Sequence, residues 1–517
     1  MKTGNTSKQK LIEKRYLLPF ILVTSLFALW GFANDITNPM VAAFQTLMEL
    51  PASEAALVQF AFYGGYATMA IPAALFIRRY SYKTGIVIGL GLYAVGAFLF
   101  IPAAERQEFS FFCISLYILT FGLAFLETTA NPLILSLGSR ETSTRRLNLA
   151  QAFNPMGSLM GMAVASFIVL PSLVSDYRDC NHNGIYSAAV NGTSVVVPDA
   201  AVPEKNVASD EVTWVWNADA AIKDANDTVK VSYSDFSAFI AKSSSQGVEF
   251  PALNESVAAS IEAGAESVPM VFNDEEKDGL RVHDLAVIRN PYVAIGLVVV
   301  LVLVVFILTK IPNTQPDGVK VKNMVTLKHL WKNKTYRYGV VAQVFYVAAQ
   351  IMVWTFIIQY ADNLGIDKAT AQGYNIVAMV LFLCSRFIAT FLMRYVKSST
   401  LLTLFAVGAF LASLGTIVIN GMPGLYCLVA ISFFMSLMFP TIYGIALENV
   451  APEDTSLGAA FLVMAIVGGA LMPPLQGAII DKGVIMGMPA VNISFVLPLI
   501  CFAIVGIYGY SCRKVQK

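Results

Sequence analysis

Charged side chains are rare inside the long apolar stretches of this chain, and three stand out there: Asp35, Glu127 and Arg386. A charge at membrane depth costs about 3 kcal/mol on insertion scales, which makes such residues functional candidates. A carboxyl group in these surroundings can bind a polar ligand and can take up and release a proton. We therefore predict that Asp35 and Glu127 couple ligand binding to proton movement.

Amide side chains accompany the first carboxyl group. Asn38 follows Asp35 by three residues and shares its helix face, and Asn34 lies next to that face. Pro39 has no N–H, so one backbone carbonyl of the preceding turn is left without its helical partner. A polar face on a locally weakened helix is typical of a ligand site that changes shape. The alternative is a structural carboxylate bonded to a neighbouring helix.

The second carboxyl group lies in a similar setting. Asn131 follows Glu127 by four residues on one helix face, and Pro132 comes next. Gln151 and Asn154, three residues apart in the following apolar stretch, add a second polar face. We predict that Asn34, Asn38, Glu127, Asn131, Gln151 and Asn154 contact the ligand. Amide bonding between helices is the structural alternative for each amide.

Polar and aromatic residues recur at helical spacing in the second part of the chain. The candidates are Gln343, Tyr346, Gln350, Trp354, Tyr374 and Asn375. Amide and hydroxyl groups pair with sugar hydroxyls, and aromatic rings stack on the apolar face of a pyranose. The whole set favours a polar, uncharged ligand. Arg386 lies near the end of its stretch, where we expect it to act in structural gating.

Composition limits the class of protein. The 517 residues are 56% hydrophobic and only 13% charged, against roughly 25% charged in soluble proteins. Apolar runs of about 20 residues, long enough to cross a bilayer, recur along the chain. No nucleophile–base group or metal-ligand cluster is recognisable, and the six cysteines form no CxxC pair. We predict a membrane protein that is not an enzyme, without cofactor, metal or nucleic-acid partner.

Twelve membrane spans are predicted, at 18–48, 54–78, 84–103, 108–137, 146–170, 286–309, 338–361, 370–395, 400–419, 423–447, 456–479 and 489–510. Lys and Arg concentrate in alternate connections, at 78–83, 140–146, 310–337 and 394–397. The positive-inside rule places these connections and both termini in the cytoplasm.

One connection differs from all the others. The segment 172–284 contains 19 acidic and 7 basic residues, and the orientation places it outside the cell. Its aromatic residues, such as Trp214 and Trp216, favour a small folded domain over a bare linker. The predicted organisation is an N-terminal bundle (1–171, spans one to five), the acidic insert (172–284), span six (285–311), a cytoplasmic linker (312–337) and a C-terminal bundle (338–517, spans seven to twelve).

Several strings are similar to those of one transporter family. They are AFYGGY at 61–66, IPA at 71–73, SYKTGI at 81–86, LETTANP at 126–132, RLNLAQAFN at 146–154, FYVAAQ at 345–350, FPTI at 439–442 and VGG at 467–469. On these strings the chain resembles the fucose–galactose–glucose:proton symporter family of the major facilitator superfamily. The resemblance covers nearly all spans.

The resemblance implies an all-α membrane fold of twelve helices in two six-helix bundles, with the substrate near the midplane between them. It also implies a functional acid in the fourth span, matched by Glu127, and a substrate role for Tyr63. A first-span acid is implied too, but the family string Asn-Asn-x-x-Asp reads Asn34-Asp35-Ile36-Thr37-Asn38 here. The acid has changed places with an amide one turn away, about 4.5 Å along the axis.

The function expected from these observations is import of a neutral monosaccharide, L-fucose or a related hexose, with a proton. The expected location is the bacterial cytoplasmic membrane, and the expected state is a monomer. A sodium-coupled or uniport sugar carrier is the alternative that the displaced Asp35 leaves open. A membrane sugar sensor that uses the insert as its ectodomain is the alternative from another class.

Overall fold

The structure of the protein is a computed structural model, and its main part is a bundle of apolar helices. The structure describes residues 11–48, 57–174, 185–190, 193–198, 201–205, 212–216, 230–231, 233–262, 268–269, 273–312, 323–366, 368–480, 482–485 and 487–513. Within them, twelve helical segments are long and apolar enough to cross a membrane. The predicted number of spans is therefore confirmed.

Spans 1 to 6 form the N-half. Their helices are Leu17–Leu47 (span 1), Leu57–Arg79 (span 2), Tyr82–Phe98 with Phe100–Arg106 (span 3), Phe109–Ser136 (span 4), Ser143–Gln151 with Phe153–Val164 and the π-helical Ala165–Val169 (span 5), and Asp274–Leu308 (span 6). Spans 1 and 5 pack closely together, as do spans 3 and 4.

Spans 7 to 12 form the C-half. Their helices are Lys334–Thr355 (span 7), Lys368–Leu392 (span 8), Ser398–Val418 (span 9), Met422–Met435 with Met438–Glu448 (span 10), Thr455–Met464 with Gly468–Ile480 (span 11), and Ala490–Ser494 with Val496–Cys512 (span 12). Short helices at Ile357–Asp362 and Leu170–Ser172 follow spans 7 and 5.

Prolines explain two of the interruptions. Span 5 breaks at Ala152 and span 10 breaks after Met435, in each case a few residues before a proline. Pro155 has no N–H to donate to the carbonyl of Gln151, four residues earlier. Pro440 fails in the same way to bond the carbonyl of Ser436. Each break therefore leaves one backbone oxygen available to another partner.

The insert adds short strands and two helices to this bundle. Antiparallel pairs join β1 (Ile185–Val190) with β2 (Thr193–Pro198), β3 (Ala201–Lys205) with β4 (Val212–Trp216), and β5 (Lys230–Val231) with β6 (Val268–Pro269). The helices are Tyr233–Ser245 and Pro251–Glu262, and a fourth strand pair, β7 (Val484–Ile485) with β8 (Met488–Pro489), lies between spans 11 and 12.

Two observed boundaries differ from those expected. The helix of span 6 begins at Asp274 rather than at 285, because Asn273 and Glu276 form a capping box at its start. The Glu276 carboxylate also accepts hydrogen bonds from the N–H groups of Ala252 and Leu253, so it joins the insert helix to the span. The predicted linker 312–337 contains a helix at Asn323–Lys332, and span 7 starts at Lys334.

Candidate functional site

A central cavity lies between the two halves of the bundle. It encloses about 760 Å³ of empty space, a volume that includes the open solvent at its mouth. The N-half contributes ten lining residues, namely Trp30, Asn34, Asp35, Tyr63, Tyr66, Glu127, Gln151, Asn154, Pro155 and Ser158. The C-half contributes Val347, Gln350, Ile351, Trp354, Met379, Phe382, Arg386, Phe439 and Ile466.

The close packing of spans 1 and 5 positions Asp35. A Cβ atom on Gly31 would lie 2.1 Å from the Asn154 carbonyl oxygen, so the two backbones touch there. This contact brings Ser158 of span 5 to the Asp35 carboxyl group, with Asn34 as a second polar neighbour. Asp35 is 6% exposed, and it lines the cavity. The first-span acid is thus held at the cavity surface by two helices.

Glu127 reaches the cavity from span 4. Its neighbour one turn along, Asn131, is fully buried and accepts a hydrogen bond from the Gln151 side-chain amide at 2.8 Å. The Asn131 side-chain nitrogen forms no hydrogen bond with the described residues. Spans 4 and 5 are therefore joined beside Glu127 by an amide pair.

The C-half side of the cavity is largely apolar and aromatic. The Trp354 ring lies 5.1 Å from the Phe382 ring in an edge-to-face arrangement, and the Trp354 indole N–H donates to the Ser432 hydroxyl at 3.3 Å. Gln350 and Arg386 are the polar exceptions. On the N-half side, the carboxyl and amide groups stand beside the aromatic rings of Trp30, Tyr63 and Tyr66. This lining suits a ligand that has hydroxyl groups on its edge and an apolar face.

Arg386 is buried in the floor of the cavity, with 3% of its surface exposed. Its Nε atom donates to the Ser436 carbonyl at 2.6 Å, and its Nη1 atom donates to the Gln151 carbonyl at 2.9 Å. The guanidinium carbon lies 4.5 Å from the centre of the Phe382 ring. Arg386 therefore contacts both halves and faces the same cavity as Asp35 and Glu127.

The two halves meet beyond this floor. The Asn148 side-chain amide donates to the Thr441 hydroxyl at 3.1 Å, and Arg145 Nε donates to the Thr390 carbonyl at 3.1 Å. A Cβ atom on Gly444 would lie 2.6 Å from the Thr144 Oγ1 atom, so spans 5 and 10 also touch. These contacts lie toward the membrane side that carries the Lys- and Arg-rich connections, here called the basic side. The halves are closed together on the basic side.

The structure brings together most, though not all, of the residues predicted for the site. Those that line the cavity are Asn34, Asp35, Tyr63, Glu127, Gln151, Asn154, Gln350, Trp354 and Arg386. Asn131 lies behind them through its bond to Gln151. The side chain of Asn38 lies outside the described residues.

Four predicted residues of the C-half do not line this cavity. Gln343 and Tyr346 are fully buried, and neither side chain forms a hydrogen bond with the described residues. The Tyr346 ring lies 6.3 Å from the ring of Phe439, which lines the cavity, whereas Tyr346 itself does not. Tyr374 and Asn375 are half-buried and lie at least one turn before Met379, the first lining residue of span 8.

Five other lining residues were not predicted from the sequence, namely Trp30, Tyr66, Ser158, Phe382 and Phe439. Trp30, Phe382 and Phe439 are aromatic residues in apolar spans, where side chains facing lipid or the core have the same composition. Ser158 is one turn beyond Asn154, and extending the polar face of span 5 by that turn would have found it. Tyr66 follows the predicted Tyr63 by three residues on the same face.

A bundle of twelve spans with a polar cavity between two halves is the architecture of a secondary transporter. The chain belongs to the Major Facilitator Superfamily, whose sequence profile matches residues 21–174 and 282–474. The unmatched segment between these ranges corresponds to the insert. The predictions of the major facilitator fold and of a transporter rather than an enzyme are thereby confirmed.

Individual proteins resemble the chain over almost its full length. The L-fucose-proton symporter of Haemophilus influenzae is 52% identical over 98% of this chain and 99% of that protein. The glucose/galactose transporter of Brucella abortus biovar 1 is 25% identical over 97% of this chain and 96% of its own length. The crystal structure of FucP, a major facilitator superfamily transporter in the outward conformation, matches with a TM-score of 0.71 and 28% identity over 96% of this chain and 99% of that chain.

Proposed function

We propose that this protein imports a neutral monosaccharide, L-fucose or a related hexose, together with a proton. The observation that carries the proposal is the central cavity, which has two carboxyl groups and three amides on its N-half side and aromatic residues on both sides. A 6-deoxyhexose has hydroxyl groups on one edge and a methyl group and C–H bonds elsewhere. The names of the relatives, an L-fucose-proton symporter and a glucose/galactose transporter, support this substrate class.

Alternating access converts this geometry into transport. With the basic side facing the cytoplasm and the insert outside, the cavity is reached from outside while the halves are closed together toward the cytoplasm. Sugar and proton bind in this state. The halves then rock about the cavity, the contacts on the basic side separate, and both are released inside. The site of action is the bacterial inner membrane, with both termini in the cytoplasm.

The two carboxyl groups have different roles in this proposal. Asp35 carries the proton, because it lines the cavity with the neutral side chains of Asn34 and Ser158 as its hydrogen-bonding neighbours. Glu127 binds sugar hydroxyls and links their binding to protonation, because it lies beside the amide pair that joins spans 4 and 5. Asn34, Gln151 and Asn154 supply further hydrogen bonds to the sugar.

The energetics of one proton per sugar set the expected accumulation. A membrane potential of 100 mV supplies about 2.3 kcal/mol per charge. This corresponds to about 50-fold accumulation of a neutral sugar, before any pH gradient is added. A uniporter would stop at equal concentrations on both sides of the membrane.

The test compares active accumulation with exchange in proteoliposomes that contain the purified protein as a monomer. Labelled L-fucose uptake is driven by an imposed pH gradient, and exchange is measured with unlabelled sugar inside and no gradient. We expect Asp35→Asn to lose accumulation but to retain exchange, because exchange requires no net proton release. We expect Glu127→Gln to lose both activities, since it also alters sugar binding.

Glu105→Gln is the matched control, because Glu105 is an exposed carboxylate at the end of span 3. It should retain both accumulation and exchange. If Asp35→Asn still accumulates sugar in response to the pH gradient, Asp35 is not the proton carrier. Accumulation that follows a sodium gradient instead would establish the sodium-coupled alternative and contradict the proposal.

A further inference from the structure

Arg386 binds two backbone carbonyls that have no N–H donor four residues later in their own helices. The Gln151 carbonyl belongs to span 5 of the N-half, and the Ser436 carbonyl belongs to span 10 of the C-half. Each lies four residues before a proline, Pro155 or Pro440, which has no N–H to bond it. The same arginine thus occupies two acceptors, one in each half, that prolines have left free.

Three features show that this arrangement depends on the shape of arginine. The guanidinium presents several donors in a rigid planar fork, whereas lysine offers a single point charge. Here Nε and Nη1 of one fork reach the two carbonyls at 2.6 Å and 2.9 Å. No carboxylate pairs with Arg386 in the described part of the chain, so the two carbonyls and the Phe382 ring stabilise its charge.

The two bonds differ in what they hold together. Ser436 and Arg386 both belong to the C-half, and the Ser436 hydroxyl also donates to the Ser385 hydroxyl of span 8 at 2.9 Å. Spans 8 and 10 therefore remain joined if the Ser436 carbonyl bond is lost. The Gln151 bond crosses between the halves, and it must break when they separate on the basic side.

The crossing bond is also connected to the transport site. The residue whose carbonyl Arg386 holds, Gln151, donates its side-chain amide to Asn131, one helical turn from Glu127. A ligand that contacts Gln151 or Glu127 therefore acts on the same short segment of span 5 that Arg386 restrains. The bond is placed where loading of the cavity can weaken it.

We propose that Arg386 is a positioning residue that stabilises the state closed on the basic side by bridging the proline-freed carbonyls of Gln151 and Ser436. This inference rests on the proposed alternating-access function. It predicts that the equilibrium between the states closed and open on the basic side depends on the bond to Gln151, and not on the positive charge of Arg386 as such. Pro155 is part of the device because it keeps the Gln151 carbonyl available.

The test measures the distance between the halves on the basic side. Tyr80, after span 2, and Tyr395, after span 8, are 51% and 67% exposed and serve as labelling positions. Both are changed to cysteine in full-length protein whose six native cysteines are replaced. Spin labels are attached to the two cysteines of the protein in lipid nanodiscs. Pulsed electron–electron double resonance then measures the populations of short and long distances, with and without L-fucose.

Three substitutions separate the bridge from the charge. We expect Arg386→Gln to raise the ratio of long to short distances about tenfold, the effect of losing a charge-assisted hydrogen bond of about 1.4 kcal/mol. Arg386→Lys should raise it nearly as much, since lysine keeps the charge but not the fork. Pro155→Ala should raise the ratio of long to short distances by a smaller factor. The new backbone N–H would donate to the Gln151 carbonyl along the helix axis and so compete with Arg386 for this acceptor.

Pro440→Ala is the matched control for Pro155→Ala. It restores an intrahelical donor for the Ser436 carbonyl, which lies in the same half as Arg386, so the distance ratio should stay within twofold of the parent. Equal effects of the two proline substitutions would overturn the proposal, and so would a parent-like ratio in Arg386→Lys. If L-fucose leaves the distances of the parent protein unchanged, the alternating-access function itself fails, independently of the bridge.

Discussion

Gly157→Ala tests whether the packing of spans 1 and 5 sets the geometry of the sugar site. A Cβ atom at this position would lie 1.9 Å from the Ala28 carbonyl oxygen, whereas ordinary contacts begin at about 3.4 Å. The two spans must therefore separate by about 1.5 Å at the level of the cavity. Ser158 and Asn154 would move with span 5, away from Asp35 on span 1.

The cost of this overpacking is about 2 kcal/mol. If the whole cost reduces the free energy of sugar binding, the KM for L-fucose exchange rises about 30-fold. The control is Gly91→Ala in span 3, where an added Cβ meets no atom within 4 Å and the change should leave KM within twofold. Thermal unfolding of both variants separates lost binding from lost stability. A Gly157→Ala protein with wild-type KM and wild-type thermal stability would refute the reasoning.

Three further predictions follow from other contacts. Trp354→Ala should raise KM about tenfold by removing an aromatic surface worth about 1.4 kcal/mol, while Trp354→Phe should stay within threefold of wild type, as measured by exchange kinetics. Gly444→Ala places a Cβ 2.6 Å from Thr144 Oγ1 and should speed hydrogen exchange at the basic ends of spans 5 and 10; unchanged exchange would contradict the close contact. Arg146→Lys leaves carbonyls at the end of span 4 unpaired and should cost about 3 kcal/mol of stability, seen as a lower midpoint of thermal unfolding.

Hydropathy and charge were sufficient to predict the bundle. Each span needs about 20 apolar residues, and the bases concentrate in alternate connections, so both signals are local in the sequence. The start of span 6 was not predicted, because its first turns lack the apolar composition on which the prediction of the spans relied. Its first turns, from Asp274, are highly charged, and only the capping interaction between Asn273 and Glu276 marks them as helical.

The carboxyl groups could be predicted because the membrane makes any buried charge expensive. Among the aromatic residues that line the cavity, Tyr63 and Trp354 were predicted, but Phe382 and Phe439 were not, because they look like any apolar residue of a span. Gln343 and Tyr346 lie on the same polar stripe of span 7 as Gln350 and Trp354. The stripe extends below the floor of the cavity, where the two halves are closed together, so Gln343 and Tyr346 do not line the cavity. Sequence spacing identifies the face of a helix and not the depth at which the neighbouring helices meet.

The bridge made by Arg386 shows a second limit. A lone arginine near the end of span 8 indicated gating, but its partners are backbone carbonyls, which every residue possesses. The prolines that free those carbonyls were visible in the sequence of spans 5 and 10. Only the three-dimensional arrangement shows that both breaks lie against the same guanidinium.

The most direct test of proton-coupled sugar import is the external pH of a weakly buffered suspension of de-energised cells that express the protein. L-fucose, D-galactose and D-glucose are added in turn, and entry of each labelled sugar is followed in parallel. Proton-coupled import predicts a transient alkalinisation with L-fucose or a related hexose, one proton for each sugar that enters, and no change in cells that lack the protein. Entry of labelled sugar without any alkalinisation would contradict it.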